Sequence, residues 1–321
     1  MSWVMEKLSI LGSGTMGHSI ALSASMAGFF VKVWGISEED IKRGQQDLQG
    51  KLEVLAAEKV ITESGKKEIQ DRIVFMASMK ECISNATFII EAVPENLELK
   101  QDLYKQLDEQ CGTGVILASN TSGLSPTAIA ASMVHPERMV VTHFWNPGHL
   151  IPLVEVVRGE KTSDTTVKRA LALLTAMGKK PIEVKKDILG SIVNRLQYAL
   201  FREAQNILEM GAATVEDIDA AVRYSIGRRL PVTGPFMTAD MGGLDVFDNI
   251  SSYLFQDLSV APASLGSMRM LVDEGKYGQK NGRGFYEWTP EFSNKMNKQR
   301  EKELIRWLKQ DLLDHKNSPV I

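Results

Sequence analysis

Short apolar runs alternate with helical stretches through the first half of the chain. "KLSILG" (7–12) is apolar and closed by glycine, and a helical pattern follows it through Ala27. "FFVKVWG" (29–35) reads as a second strand and "IVFMAS" (73–78) as a third. "TFIIEAV" (87–93), "VILASN" (115–120), "MVVTHF" (139–144) and "IPLVEVV" (151–157) continue the series. Strands that alternate with helices build βαβ units and a mainly parallel sheet. Residues 38–72 interrupt this rhythm. They are charged and helical for too long to be a simple crossover, and predict a helical insertion between the second and third strands, exposed on one face.

Strand signals stop after residues 183–190. "SIVNRLQYALFREAQNILEMG" (191–211) has helical periodicity and ends at a glycine of C-cap type. "TVEDIDAAVRYSIG" (214–227) opens on a Thr–x–x–Asp capping pattern. The remainder reads as helices joined by Gly/Pro turns, closing with "NKMNKQREKELIRWLKQDLL" (294–313), whose charged face is expected in solvent. The domain boundary is expected near residue 187, dividing a 1–187 dinucleotide-binding domain from an all-helical 188–321 domain.

A chain of 321 residues is long enough for two cores. The net charge of −3 gives no nucleic-acid footprint. Cys82 and Cys111 lack metal-ligand spacing, so no metal site is expected, and they suit a reduced, cytoplasmic protein. No run of apolar residues is long enough to span a membrane, and the N-terminus lacks the apolar core of a signal peptide.

Gly12, Gly14 and Gly17 spell G-S-G-T-M-G between the first strand and the first helix. In that context Gly12 permits the tight turn, Gly14 lets a pyrophosphate approach the backbone, and Gly17 allows close helix–strand packing. The helix start, with Thr15 and Met16, offers free N–H groups and the positive dipole end to the phosphates. The reading is a Rossmann-type α/β domain, a mainly parallel sheet with a helical insertion, followed by an all-helical C-terminal domain. Gly35 stands where the second strand would present an acid to the adenosine ribose. Glu38, Glu39 and Asp40 follow and would repel a 2′-phosphate, which favours NAD over NADP. On this reading Gly35→Asp is expected to tighten NADH binding.

If 139–144 and 151–157 pair antiparallel across "WNPGHL", a loop centred on residue 149 sets His143 opposite Glu155. Opposed side chains interact directly. A carboxylate in an apolar strand is costly unless paired, and an imidazole held by one is suited to taking a proton near neutral pH. Asn120 and Ser122 in "ASNTSGLSP" (118–126) follow a strand of the same sheet, and edge the same crevice or cap the next turn. Asn194 in "SIVNRLQ" is a polar group on an otherwise apolar helical face.

Together these segments resemble the L-specific 3-hydroxyacyl-CoA dehydrogenase family over roughly residues 6–288. The resemblance is carried by "LGSGTMG", "IIEAVPENLELK", "ASNTSGLS", "HFWNP", "LVEVVRG", "IVNR", "GPF", "DMGGLD" and "YGQKNGRGFYEW" in this order. It implies His143 as catalytic base and Glu155 as its orienting partner. Ser122 and Asn194 would hold the substrate hydroxyl or carbonyl oxygen, and Glu95, Lys100 and Asn120 would line the crevice. It further implies NAD as cofactor, oxidation of a short L-3-hydroxyacyl-CoA such as 3-hydroxybutyryl-CoA, a place in fatty acid metabolism, and a homodimer formed through the helical domain. Three features depart from the pattern. Gly35 replaces the ribose acid, and Gly123 stands where acyl-CoA enzymes carry a second serine. Gly50, Val54 and Glu58 occupy insertion-helix positions where those enzymes tend to have lysine, while Lys51 and Lys59 remain. Relatives acting on free hydroxy acids, such as gulonate or carnitine dehydrogenases, share the catalytic residues, and crystallin-like relatives have the fold without the chemistry. The leading reading on the sequence is oxidation of a short-chain L-3-hydroxyacyl-CoA, with the same chemistry on a free 3-hydroxy acid and a non-catalytic, crystallin-like protein as the alternatives.

Overall fold

The computed structural model describes residues 6–317. Its first half alternates β1 (Leu8–Leu11), α1 (Thr15–Met26), β2 (Val31–Trp34), α2 (Glu38–Ala57), α3 (Glu63–Asp71), β3 (Ile73–Met76), α4 (Met79–Ile83), β4 (Phe88–Glu91), α5 (Leu97–Gln110) and β5 (Ile116–Ser119). Next come α6 (Pro126–Ile129), β6 (Met139–Phe144), β7 (Leu153–Val157), α7 (Asp164–Ala176) and β8 (Lys180–Val184). One sheet holds all eight strands in the order β3-β2-β1-β4-β5-β6-β7-β8. Every neighbouring pair runs parallel except β6 and β7, which are antiparallel. Strands β1, β4, β5 and β6 are buried along their whole length, as expected where helices cover both faces of a parallel sheet. Strand order reverses between β1 and β4. In open α/β sheets ligands bind at such a switch point, outside the carboxyl ends of the strands.

The insertion between β2 and β3 is α2 followed by α3. Each start is fixed by its own cap: Ser37 accepts from the Asp40 amide and Thr62 from the Gly65 amide. Leu48, Leu52 and Leu55 bury one face of α2 in the core that also contains Ile10, Ile20 and Val33. Strand β8 contains Pro181, which removes one ladder donor, and it is tolerated because β8 is the edge strand.

The chain divides into two compact units, residues 1–192 with 300–321, and residues 193–299. The division falls a few residues beyond the boundary expected near 187. Residues 300 onward group with the first unit, where the sequence reading had placed them in the second domain. The reason lies in α14 (Pro290–Asn317). Its charge hides a short apolar stripe, and Ile305, only 2% exposed, joins the first unit's core with Leu304 and Leu308 packed beside it. The second unit is built from α8 (Val193–Glu209), α9 (Val215–Tyr224), α10 (Ile226–Arg229), α11 (Pro235–Gly242), α12 (Leu244–Asp257), α13 (Gly266–Asp273) and the first turns of α14. Thr214 caps α9 through the Asp217 amide, as the Thr–x–x–Asp pattern predicts. None of the described helices is long and apolar enough to cross a membrane.

Candidate active site

The glycine turn lies at the switch point. Gly12 has φ of 112°, and a Cβ there would come within 2.6 Å of the Ala92 carbonyl oxygen at the end of β4. A Cβ on Gly17 would sit 1.7 Å from the Gly12 oxygen. Both positions are therefore closed to side chains. Around Gly14 nothing lies within 4 Å of the Cβ position, so the backbone is open to a ligand on that side. No side chain caps α1 and no acid occupies its first turn. The N–H groups that start at Thr15 and Met16 are thus available to an anion, and the turn fits a dinucleotide pyrophosphate.

His143 and Glu155 are directly opposed in the β6–β7 ladder. Nδ1 of His143 lies 2.9 Å from Oε2 of Glu155, and both side chains are buried. The other carboxylate oxygen accepts the Ile192 amide at 2.9 Å. With Nδ1–H donated to the carboxylate, Nε2 keeps the lone pair and is the nitrogen able to accept a proton. The Trp145 indole stands against the imidazole, ring centroids 4.9 Å apart. Asn120 joins this corner through its side-chain oxygen, which accepts the Phe144 amide at 2.8 Å and ties the end of β5 to the end of β6. A cavity of about 240 Å³ opens nearby, lined by Thr121, Ser122, Leu124, Val141, Val157 and Ser191. Val141 and Val157 are two residues from His143 and Glu155, so the cavity opens on the sheet face carrying that pair.

Glu95 sits beneath the "NTSG" turn. One carboxylate oxygen accepts from the Thr121 hydroxyl at 2.5 Å and from the Ser122 and Gly123 amides at 3.0 and 3.2 Å. Burial works against its charge. The Thr121 hydroxyl, the Lys100 ammonium and the two amides outweigh that effect and hold the carboxyl below its ordinary range. Lys100 is itself 1% exposed, with Nζ 2.5 Å from Glu91 and 3.6 Å from Glu95. Its ammonium is spent on these two carboxylates, so it supports the turn from below. Asn194 belongs to the second unit, as the second residue of α8.

The sequence reading passed over Glu91, the centre of this lower layer. Its carboxylate takes Lys100, the Val93 amide at 2.7 Å and the Ser119 hydroxyl at 2.6 Å. The signal was available, since an acid in "FIIE" is as anomalous as the one in "LVEVV". A second group was missed in the 145–151 loop. His149 bonds the Ser19 hydroxyl at 2.9 Å, and Lys179 donates to the Gly148 and Ile151 carbonyls at 2.6 and 3.0 Å. The loop after His143 is thereby fastened to α1. Burial, then Lys51, Lys179 and His18, push the His149 imidazole down to about 3, and burial lowers the Lys179 ammonium to about 8. Burial also pushes the Cys82 thiol up to about 11, which leaves it an inert core residue. Among the described residues no cluster of three or more potential ligands suits a metal ion.

A glycine turn at the sheet switch point, with an imidazole–carboxylate pair on β6 and β7 of the same sheet, is the arrangement that a dinucleotide-dependent dehydrogenase needs. The family comparison agrees. The 3-hydroxyacyl-CoA dehydrogenase NAD-binding domain matches residues 7–188, and the C-terminal domain of the same family matches 190–288. The chain belongs to the 3-hydroxyacyl-CoA dehydrogenase family and is an NAD-dependent oxidoreductase. It is 36% identical over 307 residues to 5-formyl-3-hydroxy-2-methylpyridine 4-carboxylate 5-dehydrogenase of Mesorhizobium japonicum, covering 94% of this chain and 97% of that one. A crystal structure of a dehydrogenase of that name, described as an NAD+-dependent dismutase, superposes with a TM-score of 0.88 at 34% identity, over 96% of this chain and 99% of its own. The (S)-3-hydroxybutyryl-CoA dehydrogenase of Ralstonia eutropha superposes with a TM-score of 0.74 at 35% identity, over 88% of this chain and 99% of its own.

Proposed function

We propose that this chain oxidises a hydroxyl group on a small free carboxylic acid, with His143 as general base, and that it works as a cytoplasmic homodimer. When bound, NAD supplies the hydride acceptor. The residues of the chain handle the proton. Nε2 of His143 takes it from the substrate hydroxyl as the carbon–hydrogen bond is given up as hydride, and Glu155 stabilises the imidazolium that results. Ser122 and Asn194 are the polar groups assigned to orient the oxygen, and Thr15, Met16, Glu95 and Asn120 to line the cofactor side.

The choice of a free acid over a CoA ester is carried by α14. This helix begins two residues beyond the last position that the family matches. Its later turns lie along the insertion: Lys309 pairs with Glu58 at 3.3 Å, and Glu301 is one of the charges that Lys51 feels. CoA carries a 3′-phosphate and a pyrophosphate, which need positioned cations. On α2, Arg43 is paired with Asp40, and Lys51 is half-buried with the charges of Asp47 and Glu301 acting on it. Lys42 lies near the start of α2 and Lys59 beyond its C-terminal end, so the two do not converge on one anion. The hydroxybutyryl-CoA enzyme, aligned over nearly all of itself, covers less of this chain than the pyridine carboxylate enzyme does.

Homodimer formation is supported by the second unit, where Phe236, Met241, Leu244, Tyr253 and Phe255 are all exposed. Patches of that kind mark interaction surfaces. An NADH-linked assay decides the substrate: free 3-keto acids and small aromatic carboxylates are expected to turn over, with acetoacetyl-CoA showing a weak KM that salt barely changes. A micromolar KM for acetoacetyl-CoA with no activity on free acids would establish the second reading, a short-chain acyl-CoA dehydrogenase.

A further inference from the structure

We infer that Asp40, in the first turn of α2, supplies the carboxylate that binds the adenosine ribose of NAD, in place of a side chain at the end of β2. Gly35 follows β2 directly, beside the glycine turn, where the Gly12 amide donates to the Trp34 carbonyl at 2.9 Å. The space a side chain at 35 would need is already filled. A Cβ there would lie 2.5 Å from Cγ1 of Ile41 and 2.9 Å from the Ser13 hydroxyl. Helix α2 has been drawn in over the turn. Gly44 makes this possible, since its own Cβ position is only 2.6 Å from the Ser13 carbonyl oxygen.

That close approach brings Asp40, one helical turn before Gly44, alongside the turn. Its Oδ2 accepts the Ser13 hydroxyl at 2.6 Å, and Ser13 lies between Gly12 and Gly14 of the turn proposed for the pyrophosphate. Arg43 pairs with Oδ1 from the outer side. The Asp40 side chain keeps 17% exposure, so the carboxylate is anchored without being sealed off. Each carboxylate oxygen accepts more than one hydrogen bond, and the ribose hydroxyls are donors matched to that capacity. Ile36, 78% exposed, adds an apolar side chain next to Gly35 for the adenine. The same carboxylate repels a 2′-phosphate, so Asp40 also sets the preference for NAD. The sequence expectation that Gly35→Asp tightens NADH binding is thereby reversed: the added Cβ displaces Ile41 and the turn that presents Asp40.

The test is a fluorescence titration of NADH, NADPH and the 2′-deoxyadenosine analogue of NADH against wild type, D40N, S13A and G35D. Wild type is expected to prefer NADH over the deoxy analogue at least tenfold. D40N should bind NADH at least tenfold more weakly, bind the two alike, and lose most of its discrimination against NADPH. S13A, which keeps the charge and removes the tether, should lose part of the same preference, and G35D should weaken NADH. The ratio of two ligands on one sample does not depend on how much of a variant has folded. D40N that keeps the wild-type NADH affinity, or the wild-type ratio of NADH to its deoxy analogue, overturns the assignment.

Discussion

Nδ1 of His143 faces Oε2 of Glu155 at 2.9 Å across the antiparallel step of a sheet whose other pairings are all parallel. The ladder register is what brings the pair together. Opposed residues of an antiparallel ladder point to the same face side by side, so one strand can present a base and the next its orienting carboxylate. Both strands are buried, which shields the interaction from water and holds the ring in one orientation.

His143→Ala is therefore expected to lower kcat by about 10²–10⁴-fold while the NADH dissociation constant stays near wild type. Glu155→Gln keeps the shape and loses rate, because a neutral amide supports the imidazolium less. Rate profiles across pH 6–9 and NADH titrations check both. A loss below tenfold for His143→Ala removes it from the chemistry, and a wild-type profile for Glu155→Gln removes the orienting role.

Lys100→Met separates support from direct contact. Lys100 and Glu91 form an ion pair with side chains 1% and 0% exposed, and removing one partner of such a pair costs about 3–5 kcal/mol. The expected outcome is a large drop in denaturant midpoint, with NADH affinity of the folded protein reduced only modestly. Unchanged stability with lost NADH affinity would instead make Lys100 a cofactor contact.

The His149 imidazole gives a pH dependence with a definite sign. Its value falls from 6.5 to about 3 on folding, through burial and the neighbouring Lys51, Lys179 and His18. Between those values the unfolded chain binds a proton that the folded one refuses. Stability is full above pH 6.5 and declines as pH falls toward 3, by about 1.4 kcal/mol per unit, or roughly 2 kcal/mol at pH 5. His149→Gln should flatten the slope of urea midpoint between pH 7 and 5 without abolishing it, since His18 is shifted in the same direction. An unchanged slope would mean that His149 does not titrate in this way.

Much of the first unit was legible because its signals are local. Apolar runs of strand length and the three glycines each act within a few residues. The register of His143 on Glu155 could also be read, since a symmetric loop fixes it arithmetically. What escaped depends on contacts distant in sequence. Gly35 looked like a vacancy for an acid, and only the approach of Ile41 and Ser13 shows it to be full. Lys100 resembled a crevice residue until Glu91, on another element, claimed its ammonium. Strand β8 starts at Lys180, before the 183–190 segment where strand signals end in the sequence, and Pro181 is tolerated there because β8 is an edge, a property of the sheet and not of the strand.

Residue 305 gives the sharpest test of the tertiary part of this description. The segment around it is charged enough to read as a solvated helix, yet Leu304, Ile305 and Leu308 lie at spacings that share one helical face. Ile305 is 2% exposed and packs in the same core as Leu48 and Leu52 of α2, while Leu312 further along is 40% exposed. Truncating a buried Ile to Ala removes its transfer energy and leaves a cavity, at a cost of about 2–5 kcal/mol, whereas Ile→Val costs about 0.5–1.5 kcal/mol. Ile305→Ala should therefore lower the melting temperature several-fold more than Ile305→Val, and Leu312→Ala should stay within about 0.5 kcal/mol of wild type. Denaturant midpoints for the three variants measure this order directly. Equal, small effects at 305 and 312 would mean that the later turns of α14 are not docked and do not stand in the way of a CoA ester.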